Sequence, residues 1–171
     1  SHLLDLPVHS SGRSPLARPS SRGPITPADT LGASVMRSEN LHVITGLVTP
    51  HRWREVSKPG IESIVGALRL SARYSVIDVA STCLEKASRG ASRDDAALGV
   101  LDRADRLVIV ARGDIVGINR LSFLARWWRE QERDIPVEVI VNRVSTAAIG
   151  PHPVPSLQAA IGAFMPDCIF H

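Results

Sequence analysis

Aromatic side chains, lysine and cysteine are all scarce in this 171-residue chain, and no long apolar run occurs. With 4% aromatics among 44% hydrophobic residues, a core has to be built from Val, Ile, Leu and Ala. The two cysteines, Cys83 and Cys168, lie far apart and form no Cys-x-x-Cys, which argues against a disulfide framework and against zinc. Reduced thiols in a cytoplasmic protein are therefore expected. No stretch reaches the roughly 18 apolar residues of a membrane-spanning helix. No amphipathic terminal helix argues for surface attachment, and the first residues lack the charged-then-apolar pattern of a secretion signal. Lys58 and Lys86 are the only lysines, and neither sits in a glycine-rich loop. No Gly-x-x-x-x-Gly-Lys-Ser/Thr occurs, nor its variant with an early lysine, so the sequence shows no backbone cradle for β- and γ-phosphates and no lysine to balance their charge. No Gly-x-Gly-x-x-Gly points to a dinucleotide. The six histidines show no metal-ligand spacing, and His9, His51 and His152 fall in loops.

What is abundant is arginine. The formal charge is only +3, and no basic run with interleaved aromatics appears, so direct nucleic-acid contact has no signature. Residues 7–34 are rich in Ser, Pro, Arg and Gly and bury too little apolar surface to offset their ordering entropy. Residues 1–40 are expected to be poorly ordered and 41–171 to form one incomplete α/β domain. The chain begins Ser1-His2 and ends Cys168-Ile169-Phe170-His171 as though entering a strand, so both ends are expected to be cuts in a longer polypeptide.

From residue 41 the pattern alternates. Leu41–Thr45 is a short β-branched run, and Gly46 and Pro50 punctuate a loop. Pro59 opens a helix whose Ile61, Ile64, Val65 and Leu68 share one face. Tyr74–Ala80 reads as a second strand. Asp94-Asp95 suit the first turn of a helix carrying Leu98 and Leu101. Leu107–Ala111 is a third strand, apolar on both faces, as in a central parallel strand covered by helices on each side. A long helix over Ile115–Glu132 turns Ile118, Leu121, Ala125 and Trp128 inward. Pro136–Val141 is a fourth strand. Pro155 opens a last helix with Leu157, Ala160, Ile161 and Phe164 on one face. Strand and helix in alternation imply a doubly wound, mostly parallel α/β sheet with helices on both faces.

In such sheets ligands bind beyond the carboxyl ends of the strands. The polar residues there are Asp78, Arg112 with Asp114, and Asn142 with Arg143. Asp78 is either a carboxylate that orders the water shell of Mg²⁺ beside nucleotide phosphates or an acid solvated at the sheet rim. Asn142 can donate to and accept from an adenine edge, or simply begin a loop. Asp114 is suited to cap the helix at Ile115. Trp127 and Trp128 face different directions, so one belongs to the core and the other covers the sheet or meets a partner. Cys83 has no base named nearby and reads as unreactive. A phospho-accepting receiver domain would need an acidic pair after its first strand and a lysine ending its last, and neither is found.

Taken in order, these pieces resemble the MinD/ParA-type ATPases, in particular the CpaE-like pilus-assembly branch of actinobacteria. The resemblance rests on Leu41–Leu47 with His51-Arg52-Trp53, on Tyr74–Asp78, and on Leu101–Asp105 leading into Leu107–Val110. It continues in Gly113–Leu121, similar to the family's DPVGLxRL helix start, and in Val139–Val144, similar to its VVNRV strand end. It spans roughly 41–165. It implies an incomplete nucleotide-hydrolase fold of the deviant-Walker class that binds ATP with Mg²⁺, forms a nucleotide-dependent homodimer, meets protein partners and positions chromosomes, division machinery or pilus and secretion assemblies. By the resemblance Asp78 is the catalytic and Mg²⁺-side Walker B acid, and Asn142 with Arg143 holds the nucleotide base. Two departures stand out: the signature lysine loop is missing, and Val79-Ala80-Ser81-Thr82 replaces the family's proline-containing turn. Truncation of an ordinary ATPase explains the first, and so does a non-hydrolysing relative that serves as an α/β interaction module. On either account the chain alone is expected to be inactive.

Overall fold

The computed structural model describes residues 24–45, 57–79 and 94–171. The loop at Gly46 and Pro50, the expectations for His9, His51 and Cys83, and most of the Ser/Pro-rich segment lie outside the described residues. The chain divides into two compact units, Ser1–Arg103 and Ala104–His171.

The first unit begins inside the segment whose composition suggested poor order. Helix α1 spans Pro27–Gly32, and its start is a capping box: the Thr26 hydroxyl accepts from the Asp29 N–H while the Asp29 carboxylate accepts from the Thr26 N–H. Strands β1 (Val35–Ser38) and β2 (Leu41–Val43) pair antiparallel across a turn at residues 39–40. Leu41–Thr45 was expected in a parallel sheet. A two-residue connection favours pairing with the strand just before it, and β2 takes that local partner instead. Helix α2, Lys58–Ser71, has Ser57 as its cap and Pro59 in its first turn. It buries Ile61, Ile64 and Val65, as their spacing requires, with Ile25, Leu68, Ala96 and Val100 packed around them. Helix α3, Asp95–Leu101, lies against it, and the nearest side-chain atom to a Cβ built at Gly99 is an Ile61 carbon at 3.2 Å. Thr30 is buried, its hydroxyl bonded to the Pro27 carbonyl (2.8 Å) and paired with Ser71 Oγ (3.2 Å).

Tyr74–Ala80 does not form the expected strand among the described residues. No residue from 74 to 79 joins a ladder, and Val76 is 99% exposed. Alternating β-branched residues favour a strand only where a neighbour supplies the hydrogen bonds and covers a face. No described strand pairs with this stretch.

The second unit matches the reading closely. Strands β3 (Leu107–Arg112), β4 (Val137–Asn142) and β5 (Ile169–Phe170) form a parallel sheet in the order β3-β4-β5. Helix α4 (Ile115–Glu130) joins β3 to β4, and α5 (Thr146–Ile149) and α6 (Pro153–Phe164) join β4 to β5. Ile109, Ala111 and Val139 meet Leu121 and Ala125 of α4, Ile161 of α6, and Met165 in one core. Trp128 is the buried member of the tryptophan pair, and Trp127 is half-buried. The opposite face of the sheet carries Val108, Val110, Ile140 and Ile169, all exposed. The double-sided cover expected for β3 is therefore present on one side among the described residues.

Candidate functional site

The carboxyl ends of β3 and β4 lie side by side because the two strands run in register, with Arg112 opposite Asn142. The Gly113 N–H continues the ladder by donating to the Asn142 carbonyl at 2.7 Å. Immediately after, the chain turns into α4. Asp114 caps that helix, its Oδ1 accepting from the Gly117 N–H at 2.7 Å, which confirms the capping role expected for it. Its other oxygen, Oδ2, lies 2.5 Å from Arg112 Nε. Both oxygens of Asp114 are thus occupied, and the Arg112 guanidinium has a carboxylate partner rather than being held ready for a phosphate.

Two glycines allow this turn to be so tight. A Cβ on Gly113 would stand 2.9 Å from Val144 Cγ2 and 3.0 Å from Val144 Cα. A Cβ on Gly117 would run into the Arg112 carbonyl oxygen. Sequence reasoning missed both requirements. The signal was present as Asp114 followed three residues later by glycine, the pattern of a cap whose first helical turn presses against the strand it leaves.

On the neighbouring strand Asn142 is exposed at the rim. Its Oδ1 accepts from the Arg143 backbone N–H at 2.7 Å. Arg143 has φ +58°, in the left-handed region that non-glycine residues seldom adopt. The Asn142 amide N–H groups have no partner among the described residues, and neither does the exposed Arg143 guanidinium. Val144 packs beneath this corner, against the Gly113 backbone.

Further back on the open face, Glu138 of β4 is gripped from two sides. Arg106 pairs with one oxygen, and His171 Nε2 lies 3.3 Å from the other. The Arg106 and His171 side chains are exposed, so these pairs add little stability.

Asp78 belongs to the first unit and is exposed beyond an unpaired stretch. No group of three or more His, Cys, Asp or Glu able to hold a metal occurs among the described residues. Mg²⁺ needs only one or two protein carboxylates when phosphates and water supply its other oxygens. A single exposed carboxylate such as Asp78 is compatible only with a cation that brings most of its own ligands.

The β3–α4 corner, the β4 rim and the parallel order define a parallel α/β fold. The comparison with solved structures gives that fold a particular likeness. The crystal structure of a ParA family ATPase from Chlorobium tepidum TLS superposes with a TM-score of 0.67 at 22% identity, over 90% of this chain and 59% of that one. This chain thus spans well under two thirds of that structure's length. No protein-family model matches the chain, and no curated protein does. Among the described residues no helix is long and apolar enough to cross a membrane.

Proposed function

We propose that this chain is the base-binding part of a ParA-type ATPase, of the MinD/ParA/CpaE-like kind, that positions or partitions cellular cargo in the cytoplasm. The observation that carries the reading is the rim itself. Asn142 stands at the carboxyl end of a parallel strand with unpartnered amide donors, beside a tight strand-to-helix corner, where sheets of this kind take their ligands. In this reading Asn142 and Arg143 receive the nucleotide base. For Asp78, in the first unit, a Mg²⁺-side role rests on the family resemblance alone. The phosphates need a cradle for which this sequence has no recognisable motif, so the chain by itself is not a competent ATPase. A nucleotide-dependent homodimer and protein partners belong to the same proposal.

Calorimetric titration of the complete polypeptide with Mg·ATP tests it. The reading expects saturable binding that weakens about tenfold in Asn142→Ala, the loss of one hydrogen bond to the ligand. A folded polypeptide that takes up no ATP at millimolar concentration overturns it.

That negative result would favour a second reading, an α/β interaction module without catalysis. Its support is the exposed apolar surface of the second unit: Val108, Val110 and Ile140 on the sheet, and Ile115, Val116 and Phe123 on α4.

A further inference from the structure

Helix α4 carries apolar residues on two sides. Leu121, Ala125 and Trp128 are buried. Val116, Arg120, Phe123 and Trp127 follow one another at i, i+4, i+7 and i+11, and at 3.6 residues per turn they form a second stripe on the far side. Val116 and Phe123 are 60% and 57% exposed, Arg120 is exposed and Trp127 is half-buried. Among the described residues neither the Arg120 guanidinium nor the Trp127 indole N–H has a hydrogen-bond partner. Singly exposed apolar residues are ordinary. A Phe, a Trp and an Arg on one helical line is the composition that carries binding energy at protein interfaces.

Arg120 decides the chemistry of what can cover this line. It stands between Val116 and Phe123, so a surface laid over both takes water from its guanidinium. A buried guanidinium without a carboxylate is strongly unfavourable. Among the described residues none is at hand: Asp114 holds the Gly117 N–H and Arg112, and Glu130 lies 3.6 Å from Arg126. The covering surface must therefore bring an acid. An anionic membrane fits poorly, because Glu130 offsets Arg126 and leaves one free charge on the line, where lipid-binding helices carry clusters of Lys and Arg. A second copy of the chain fits poorly too. The 16 residues of α4 span roughly 24 Å by about 10 Å, well under the roughly 800 Å² per partner of a stable pair.

We infer that the outer face of α4 docks a short amphipathic helix of a partner protein, apolar along one side and carrying a carboxylate that meets Arg120. This gives a place and a chemistry to the protein partner in the proposed function, and it does not depend on nucleotide binding.

Photocrosslinking of the complete polypeptide in the cells that make it tests the inference. Phe123→benzoylphenylalanine should attach, on irradiation, to a segment of another protein that has Asp or Glu among apolar residues, read by mass spectrometry. Arg120→Glu should lower the crosslink yield by about tenfold or more, with an unchanged thermal melt because the side chain is exposed. Changing the acid of the attached segment to Lys should restore the yield in Arg120→Glu. An undiminished yield in Arg120→Glu, or a loss that the swapped charge does not restore, would overturn the pairing with Arg120. Attachment to a second copy, to another part of the same chain or to lipid, or no product at all, would overturn the docking face. Failure of ATP to bind the same polypeptide sinks the nucleotide reading and leaves this one standing.

Discussion

The two units carry similar apolar patterns to different ends. In the second, Val139 and Ile109 alternate with solvent-facing neighbours along paired parallel strands, and Leu121, Ala125 and Ile161 close over them. In the first, Tyr74–Val79 has an equally strand-like composition, yet Tyr74 is 79% and Val76 is 99% exposed. What differs is the partner. A parallel strand in register with its neighbour has its backbone bonds and one covered face supplied together. A run of β-branched residues without a ladder has neither. Helices are less demanding, because their hydrogen bonds are internal. Accordingly α2 buries the Ile61, Ile64 and Val65 stripe even where the strands around it do not form the expected sheet.

Substitutions sharpen this contrast, beginning with the largest. Ile161→Ala, at 1% exposure, should cost about 2–5 kcal/mol in urea denaturation. Val76→Ala should stay within about 0.5 kcal/mol of the unaltered protein. Comparable losses at the two positions would mean that 74–79 is buried in solution and that the contrast is false. Gly117→Ala drives a methyl into the Arg112 carbonyl and should cost about 1–3 kcal/mol, read as a lowered thermal midpoint. Asp114→Ala removes the α4 cap and should cost about 1 kcal/mol. Asp114→Asn, which can still accept from Gly117, should recover most of that.

The smallest effect concerns Cys168. Burial pushes its thiol above the usual value of 9.0, the neighbouring Asp167 charge adds to this, and a backbone hydrogen bond opposes both. The folded state therefore holds the proton more tightly than the unfolded chain. This contribution is complete below about pH 9 and is lost as pH rises through the raised value. Alkylation by iodoacetamide at pH 8.5 should accelerate at Cys168 when urea is added. A folded-state rate equal to the unfolded one would contradict the burial.

Much of the second unit was legible because its elements declare themselves locally. Leu107–Ala111 and Pro136–Val141 read as strands, the α4 stripe of Leu121, Ala125 and Trp128 kept helical spacing, and Asp114 announced a cap. The short β5 at Ile169-Phe170 was anticipated from the last residues. The first unit was read less well, for two reasons. The Thr26–Asp29 capping box sits in a segment whose composition argued for poor order. The turn at residues 39–40 made Leu41–Val43 one arm of a hairpin instead of a sheet strand. At the rim the residue names were visible, but the bond from the Arg143 N–H to the Asn142 side-chain oxygen was not. Nothing in Asn-Arg-Val foretells the positive φ of Arg143.

Hydrogen–deuterium exchange of the complete polypeptide, with and without saturating Mg·ATP, tests the central claim most directly. If the β3–α4 corner and the β4 rim receive the nucleotide, added protection within 104–171 should concentrate on residues 112–117 and 142–146. Saturable ATP binding that leaves those two segments unchanged would contradict it.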